Sequence, residues 1–256
     1  MRILVSALLL LPAAAFASSA FDGTWKGRVE SVKVTGKPDV FVIADGVYTC
    51  SSCVPEIKIK ADGTDQKVTG HDYYDTVAVK IVDANTIERT RKLAGKVTGS
   101  STVTVSRDGS TLNGRFTDYT GANPATGSFT EKRVAAGPAG SHAISGSWQQ
   151  GTFSNANDAL TTVSYEMSSD HFSMRANGQS YNAKFDGKEY PVQGDPGHTL
   201  VTLKRIDDNT VVETDRRNGK ITDEIRLAAA KDGKTVKLTD KDVIHGQITT
   251  ITLDKQ

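Results

Sequence analysis

Two stretches of the chain decide its fold, KIVDANTIERTRKLAGKV at residues 80–97 and KRIDDNTVVETDRRNGKI at residues 204–221. They lie 124 residues apart, and the same offset aligns residues 62–112 with residues 186–236, where 16 of the 51 pairs are identical. At an offset of 123, Gly23-Thr-Trp25 also matches Gly146-Ser-Trp148. A repeat of this length indicates that one structural unit occurs twice in tandem.

Each copy has the sequence pattern of antiparallel strands. Apolar side chains recur at every second position, as in Val77, Val79 and Ile81 of the first copy and Val201 and Leu203 of the second. This period of two predicts strands with one buried and one solvated face. Asp-Gly and Asn-Gly pairs separate the apolar runs, as is typical of tight hairpins. No segment predicts a helix, and residues 161–165 also read as a strand.

These patterns predict an all-β fold of two tandem antiparallel up-and-down β-barrels, with 8–10 strands each. Many twisted strands in one sheet tend to close on themselves, which favours barrels. The first barrel is predicted over residues 21–133 and the second over residues 146–256. Residues 134–145, rich in Ala, Gly, Pro and Ser, are predicted to form a linker. The alternative is one larger barrel or sandwich built from both halves.

The chain begins with a leader-like segment. One Arg precedes an apolar run, and Ala15-Phe16-Ala17 supplies the small residues of a cleavage site. Residues 1–17 therefore predict a secretory signal peptide and a periplasmic or secreted protein, with a short buried helix as the alternative. No later apolar run approaches the ~18–20 residues needed to span a bilayer, so no membrane anchor is expected.

The charge balance argues against a nucleic-acid partner. The chain has 31 Lys and Arg against 30 Asp and Glu, and without Arg2 of the leader the counts are equal. Binding to nucleic acid draws on an excess of basic side chains that this composition lacks.

The repeat motifs carry a resemblance to known proteins. Gly23-Thr-Trp25 and Gly146-Ser-Trp148 resemble the Gly-x-Trp strand that opens calycins, the superfamily of lipocalins and fatty-acid-binding proteins. The Asp-Gly-Lys-x-Tyr-Pro-Val stretch at 186–192 is similar to a turn in bacterial exported lipocalin-like proteins of uncharacterised function. The resemblance implies barrels that can enclose a small ligand. A portal helix pair and a clear Arg-x-Tyr carboxylate clamp are missing, so the family's ligand class is not carried over.

Two pairs of residues have structural interpretations. Trp25 and Trp148 are expected to plug the closed ends of the barrels with large apolar side chains. Cys50 and Cys53 are close enough to form a disulfide across a turn in an oxidising compartment. A redox-active pair and a metal site are the other readings of these cysteines, although a closed zinc site needs four ligands.

Candidate ligand contacts gather in one loop of each copy. His71, Tyr73 and Tyr74 in the first copy, and His198 in the second, fall where a loop should join two strands. They predict either a ligand-gripping loop or a solvated turn with packed Tyr side chains. Asp223 interrupts an apolar face and, if it points inward, needs a partner or water.

The sequence favours binding over catalysis. It contains no nucleophile elbow, phosphate loop or zinc-protease motif, and its carboxylates are scattered, so no catalytic residue, metal or cofactor is assigned. The leading hypothesis is an exported protein that binds a small, largely apolar ligand inside a barrel. One alternative is a structural or interaction module of the cell envelope with filled barrels. The third is a redox or haem barrel, because Gly23–Gly27 partly resembles nitrobindin-like proteins and His245, in a predicted late strand, is a candidate axial ligand.

Overall fold

The computed structural model describes residues 19–256, most of which form antiparallel strands. The predicted leader at residues 1–17 lies outside this range. Within it, no helix has the length and apolar character needed to cross a membrane. The strands of the first half are β1 (Gly23–Gly27), β2 (Lys33–Thr35), β3 (Asp39–Ala44), β4 (Val47–Cys50), β5 (Ile57–Lys60), β6 (Gln66–Lys67), β7 (Thr76–Ile81), β8 (Thr86–Leu93), β9 (Lys96–Val105), β10 (Thr111–Asp118), β11 (Ala125–Ala136) and β12 (Gly146–Ser154).

The second half adds nine strands and one helical turn. The strands are β13 (Thr162–Met167), β14 (His171–Ala176), β15 (Gln179–Lys184), β16 (Tyr190–Pro191), β17 (Leu200–Asp207), β18 (Thr210–Arg217), β19 (Lys220–Ala229), β20 (Thr235–Asp242) and β21 (Gln247–Lys255). The helical turn, α1 (Asp158–Thr161), was not expected. It forms because the Asn157 side chain accepts a hydrogen bond from the backbone N–H of Leu160, a local cap that needs no apolar period.

The strands form two barrel-shaped antiparallel sheets, which confirms the prediction of two barrels. Barrel 1 has the strand order β5-β4-β3-β12-β11-β10-β9-β8-β7-β6. Barrel 2 has the order β15-β14-β13-β1-β21-β20-β19-β18-β17-β16, with β2 added beside β21. Neighbours in the sheet are mostly neighbours in the chain, as an up-and-down barrel requires.

The first strand of each repeat lies in the barrel of the other repeat. β1 sits between β13 and β21, so that Trp25 pairs with Val163 and Lys255 in barrel 2. β12 sits between β3 and β11, so that Trp148 pairs with Asp39 and Arg133 in barrel 1. The boundaries 21–133 and 146–256 therefore need correction: barrel 1 is the continuous segment 39–154, inserted between β2 and the rest of barrel 2.

The segment predicted as a linker connects two strands of one sheet. Residues 134–136 extend β11, and residues 137–145 lead into β12 of the same barrel. Ile144 is 1% exposed and packs in the core of barrel 1. The Arg133 side chain donates to the carbonyls of Ala143 and Ser145, both at 2.6 Å. These contacts fix the segment, and the chain instead passes between the barrels at residues 36–38 and 155–161.

Each barrel is filled at one end by its tryptophan. Both indole rings are fully buried, and each Nε1 donates at 2.8 Å to the carbonyl four residues earlier, on Phe21 or Ile144. A cation covers each ring, with the Arg133 guanidinium 4.0 Å from the Trp148 ring and the Lys255 ammonium 5.4 Å from the Trp25 ring. Apolar side chains surround these rings in both cores. These buried indole rings occupy one end of each barrel, so a ligand has room only in the remaining part of the interior.

Candidate functional site

Barrel 1 contains a cavity of about 320 Å³ whose walls include five aromatic rings. Its position follows from the alternation of the strands, which turns every second side chain inward. The rings that line it belong to Tyr48, Tyr74, Phe116, Phe129 and Phe153. Phe129 lies between the other two phenylalanines, with ring centroids 6.3 Å from Phe116 and 6.5 Å from Phe153.

Two arginines of β8 line the same cavity. Arg89 is half-buried and donates to the Ser101 hydroxyl at 3.1 Å, and its guanidinium lies 5.6 Å from the Phe41 ring centroid. Arg91 is exposed and sits over the Tyr74 ring at 5.4 Å. Within residues 19–256, neither guanidinium is within 4 Å of a carboxylate oxygen. Both can therefore take an anionic group of a ligand.

A buried carboxyl group completes this site. Glu131 on β11 is 5% exposed, and its Oε2 has no hydrogen-bond partner in the described part of the chain. Burial raises the pKa of Glu131 to about 7, and the nearby charge of Asp39 adds to the effect. The pKa of Asp39 is itself raised by burial, although Gln150 and Arg89 oppose the shift. At neutral pH the cavity therefore holds more positive than negative charge.

Barrel 2 encloses a second cavity, of about 290 Å³, with different walls. Most of its lining is aliphatic, and the only charged side chain among the lining residues is Glu213. Tyr181 donates its hydroxyl proton to Glu213 Oε2 at 2.5 Å. The residues that line this cavity together with Glu213 include Tyr165, Met174, Ile225, Leu227, Leu238, Ile251 and Leu253.

Barrel 1 has basic residues at two positions where barrel 2 has acidic residues. Arg89 and Arg91 correspond to Glu213 and Asp215 at the offset of 124. Equivalent strands also carry equivalent irregularities, because the register shifts after Arg91 in β8 and after Asp215 in β18. The barrels thus share a backbone and differ in the chemistry of their interiors.

Further carboxylates of barrel 2 stand on neighbouring strands. The pairing places Glu213, Ile225 and Asp240 in one row across β18, β19 and β20. Asp215 and Asp223 pair in the next row. Burial raises the pKa of Asp240 to about 7 and holds the pKa of Asp215 well above its usual range.

Asp223 is mostly buried and has the partner that an inward-pointing carboxylate was expected to need. Its Oδ2 accepts from Arg217 Nη2 at 3.1 Å, and both side chains are 17% exposed. Arg217 also donates to the Thr199 hydroxyl at 2.8 Å. This ion pair balances the negative charge of Asp223. In the described residues, Glu213, Asp215 and Asp240 have no basic partner within 4 Å.

The predicted ligand loop lies in a cleft between the barrels. The cleft has a volume of about 320 Å³ and is lined by His71, Tyr73 and Tyr74 together with Arg217 and His245 of barrel 2. His71 stacks on Tyr74 with centroids 4.5 Å apart, and burial lowers the pKa of His71. Tyr74 lines the cavity of barrel 1 as well, so the loop borders both spaces.

Tyr73 shares the cleft with His71 and Tyr74, whereas His198 does not line it. Tyr73 packs against Gly197, lies under the Arg217 guanidinium at 5.0 Å, and has its pKa raised by burial to about 12. His198 is exposed, adopts a φ of 55° and does not line the cleft. The structure therefore brings three of the four candidates together.

His245 does not lie in a strand, contrary to the prediction. It stands in the turn between β20 and β21, where its Nδ1 is 2.6 Å from Asp242 Oδ2. This contact raises the pKa of His245. The Asp242 side chain also accepts from the His245 backbone N–H, which stabilises the turn.

The two cysteines lie at the rim of barrel 1. The sulfur atoms of Cys50 and Cys53 are at a disulfide distance of 2.05 Å. Cys50 is buried, and Cys53 lines both the barrel 1 cavity and the cleft. Residues 19–256 contain no group of three or more His, Cys, Asp or Glu side chains arranged to hold a metal ion.

Comparison of the chain with protein-family models, curated proteins and solved structures gave no match. The function is therefore inferred from the side chains that line the interiors of the two barrels.

Sequence reasoning missed the interior charges of both barrels. Arg89 and Arg91 stand two residues apart on β8, and Glu213 and Asp215 do so on β18. Each pair follows an apolar residue at the preceding alternate position, Ile87 or Val211. These four residues can be found by aligning the two copies at the offset of 124 and searching for positions at which one copy is basic and the other is acidic, instead of searching for identical residues.

Proposed function

We propose that this protein is an exported binding protein, and that barrel 1 binds a small, largely apolar molecule that carries an anionic group. The observation that carries the proposal is the pair Arg89 and Arg91, which line an aromatic cavity without an ion-pair partner within residues 19–256. A guanidinium that is partly withdrawn from water binds a carboxylate or sulfonate through charge-assisted hydrogen bonds.

The shape and walls of the cavity support the same ligand class. Its volume of about 320 Å³ lies at the lower end of the range for small-molecule pockets. Aromatic walls favour apolar and aromatic bodies, and the free space argues against the alternative of filled, purely structural barrels. The proposal that the protein is exported rests only on the sequence of residues 1–17.

The test is isothermal titration calorimetry of the protein at pH 7 with octanoate, octanol and octylammonium. We expect octanoate to bind at least tenfold tighter than octanol. Arg89→Met should remove most of that preference, because it deletes the charge and keeps the length of the side chain. Arg115→Met is the matched control, since Arg115 lies on β10 of the same barrel and is exposed.

Equal affinity for octanoate and octanol would contradict the proposal, and so would an equal effect of the two arginine substitutions. Native mass spectrometry of protein purified from its own source provides a second readout. We expect a bound mass that Arg89→Met reduces and Arg115→Met does not.

A further inference from the structure

We propose that barrel 2 is a second, separate binding site, for a small alkylammonium ion, with Glu213 as the group that receives the cation. The site does not depend on the ligand of barrel 1. The proposal rests on three observations: the position of Glu213, the apolar cavity that it lines, and the nearby Asp215 Oδ1, which makes no hydrogen bond within residues 19–256.

Glu213 lies at the boundary of the cavity and of a polar cluster. It is 7% exposed, lines the cavity, and is held in place by the hydrogen bond that Tyr181 donates to its Oε2. Burial raises the pKa of Glu213, and the hydrogen bond from Tyr181 opposes this shift. A cation bound beside Glu213 would favour the ionised form of its carboxyl group, which a neutral ligand would not do.

Asp215 supplies the observation that points to a missing partner. It is 8% exposed, and its Oδ1 makes no hydrogen bond within residues 19–256. Asp240, which shares the row of Glu213 across the sheet, also has a buried Oδ1 without a partner there. Buried carboxyl oxygens without donors are costly. An ammonium group offers three donors to carboxyl oxygens that accept no hydrogen bond within residues 19–256.

The walls of the cavity define the rest of the ligand. Ile225, Leu238 and Ile251 line the space next to Glu213, so an aliphatic chain attached to the ammonium would displace no polar contact. A volume of about 290 Å³ suits a short alkyl chain. The ring of Tyr165 lines the same space, and an aromatic face attracts a cation. A primary amine resembles the Lys side chain, whose pKa of ~10.4 keeps it charged at neutral pH.

The decisive experiment is calorimetric titration of the full protein at pH 7 with hexylammonium, hexanol and hexanoate. We expect hexylammonium to bind with one equivalent, at least tenfold tighter than hexanol, and hexanoate not to bind in barrel 2. Glu213→Gln should weaken hexylammonium binding at least tenfold. Glu166→Gln, on the outer surface of the same barrel, and Arg89→Met in barrel 1 should leave it unchanged.

Two features keep the test decisive if Glu213→Gln fails to fold. The ligand series needs no substitution, so equal affinity for hexylammonium and hexanol overturns the proposal on the unaltered protein. Leu238→Trp fills the cavity without changing its charge and should abolish hexylammonium binding. Hexylammonium that binds equally well to Leu238→Trp, or to a folded Glu213→Gln, also overturns it.

Discussion

Positions 89 and 91 of barrel 1 are occupied by basic residues, and the equivalent positions 213 and 215 of barrel 2 by acidic ones. The strands tolerate this change because the ladder hydrogen bonds involve only the backbone. Interior chemistry can therefore diverge while the turns and strand positions stay similar, as the 16 identical pairs of residues 62–112 and 186–236 show.

The buried carboxyl group of Glu131 makes stability depend on pH. Its pKa is about 7 in the folded protein and 4.5 ordinarily, so between these values the unfolded chain is ionised and the folded protein is not. The stabilising contribution is complete below about pH 4.5 and is lost as the pH rises through 7. Glu131→Gln stays neutral and should become more stable than the unaltered protein by about 2–3 kcal/mol at pH 8.

Urea unfolding at pH 4.5, 6 and 8 checks this expectation, because other titrating groups cancel in the difference between the two proteins. The difference should be small at pH 4.5 and grow steadily with pH. A constant difference across the three conditions would show that Glu131 ionises alike in the folded and unfolded states.

At the scale of elements, the connection between β11 and β12 depends on Arg133. Its side chain donates to the carbonyls of Gly109, Ala143 and Ser145 and covers the Trp148 ring. Lys255 is the equivalent of Arg133 in barrel 2, where it covers Trp25 at 5.4 Å. Arg133→Met should therefore cost about 3 kcal/mol, since it removes several charge-assisted hydrogen bonds, and Lys255→Met should cost less than about 1 kcal/mol.

Denaturant unfolding of the two variants side by side measures these costs. Equal destabilisation would mean that the ring contact, which both cations make, outweighs the hydrogen bonds that only Arg133 makes.

The strands and hairpins could be predicted because their signals are local. Alternation in Val77–Ile81 and turn pairs such as Asp232-Gly233 depend on neighbouring residues alone. Two-residue strands such as β6 and β16 are too short for a period, and their pairing depends on the rest of the barrel. The charged residues at positions 89, 91, 213 and 215 are visible in the sequence. Whether their side chains point into a barrel depends on the register of each strand, which has to be known first.

At the scale of the whole molecule, the exchange of first strands could not be predicted. Gly23-Thr-Trp25 and Gly146-Ser-Trp148 are nearly the same sequence, so either strand can fill either barrel by local preference. The short connection at residues 155–161, which leads from β12 into β13, is compatible with the observed arrangement. Which barrel each strand joins is a property of chain connectivity and long-range pairing.

The exchange predicts which fragments fold alone. A fragment of residues 36–156 contains all ten strands of barrel 1 and Trp148, and it should show a cooperative thermal transition by circular dichroism. A fragment of residues 21–133 has a similar length but lacks β12, and it should remain unfolded or aggregate. Cooperative folding of the second fragment and not of the first would contradict the strand exchange.

The position of β1 also sets an order of events during synthesis. A chain that emerges N-terminus first can complete barrel 1 once residue 154 is available, since β3–β12 are continuous. β1 must wait for β13 and for β21, more than 200 residues later, before its two edges are paired. Until β21 has been made, Trp25 and an unpaired edge of β1 are exposed. During that interval the nascent chain is most prone to misassociation at β1.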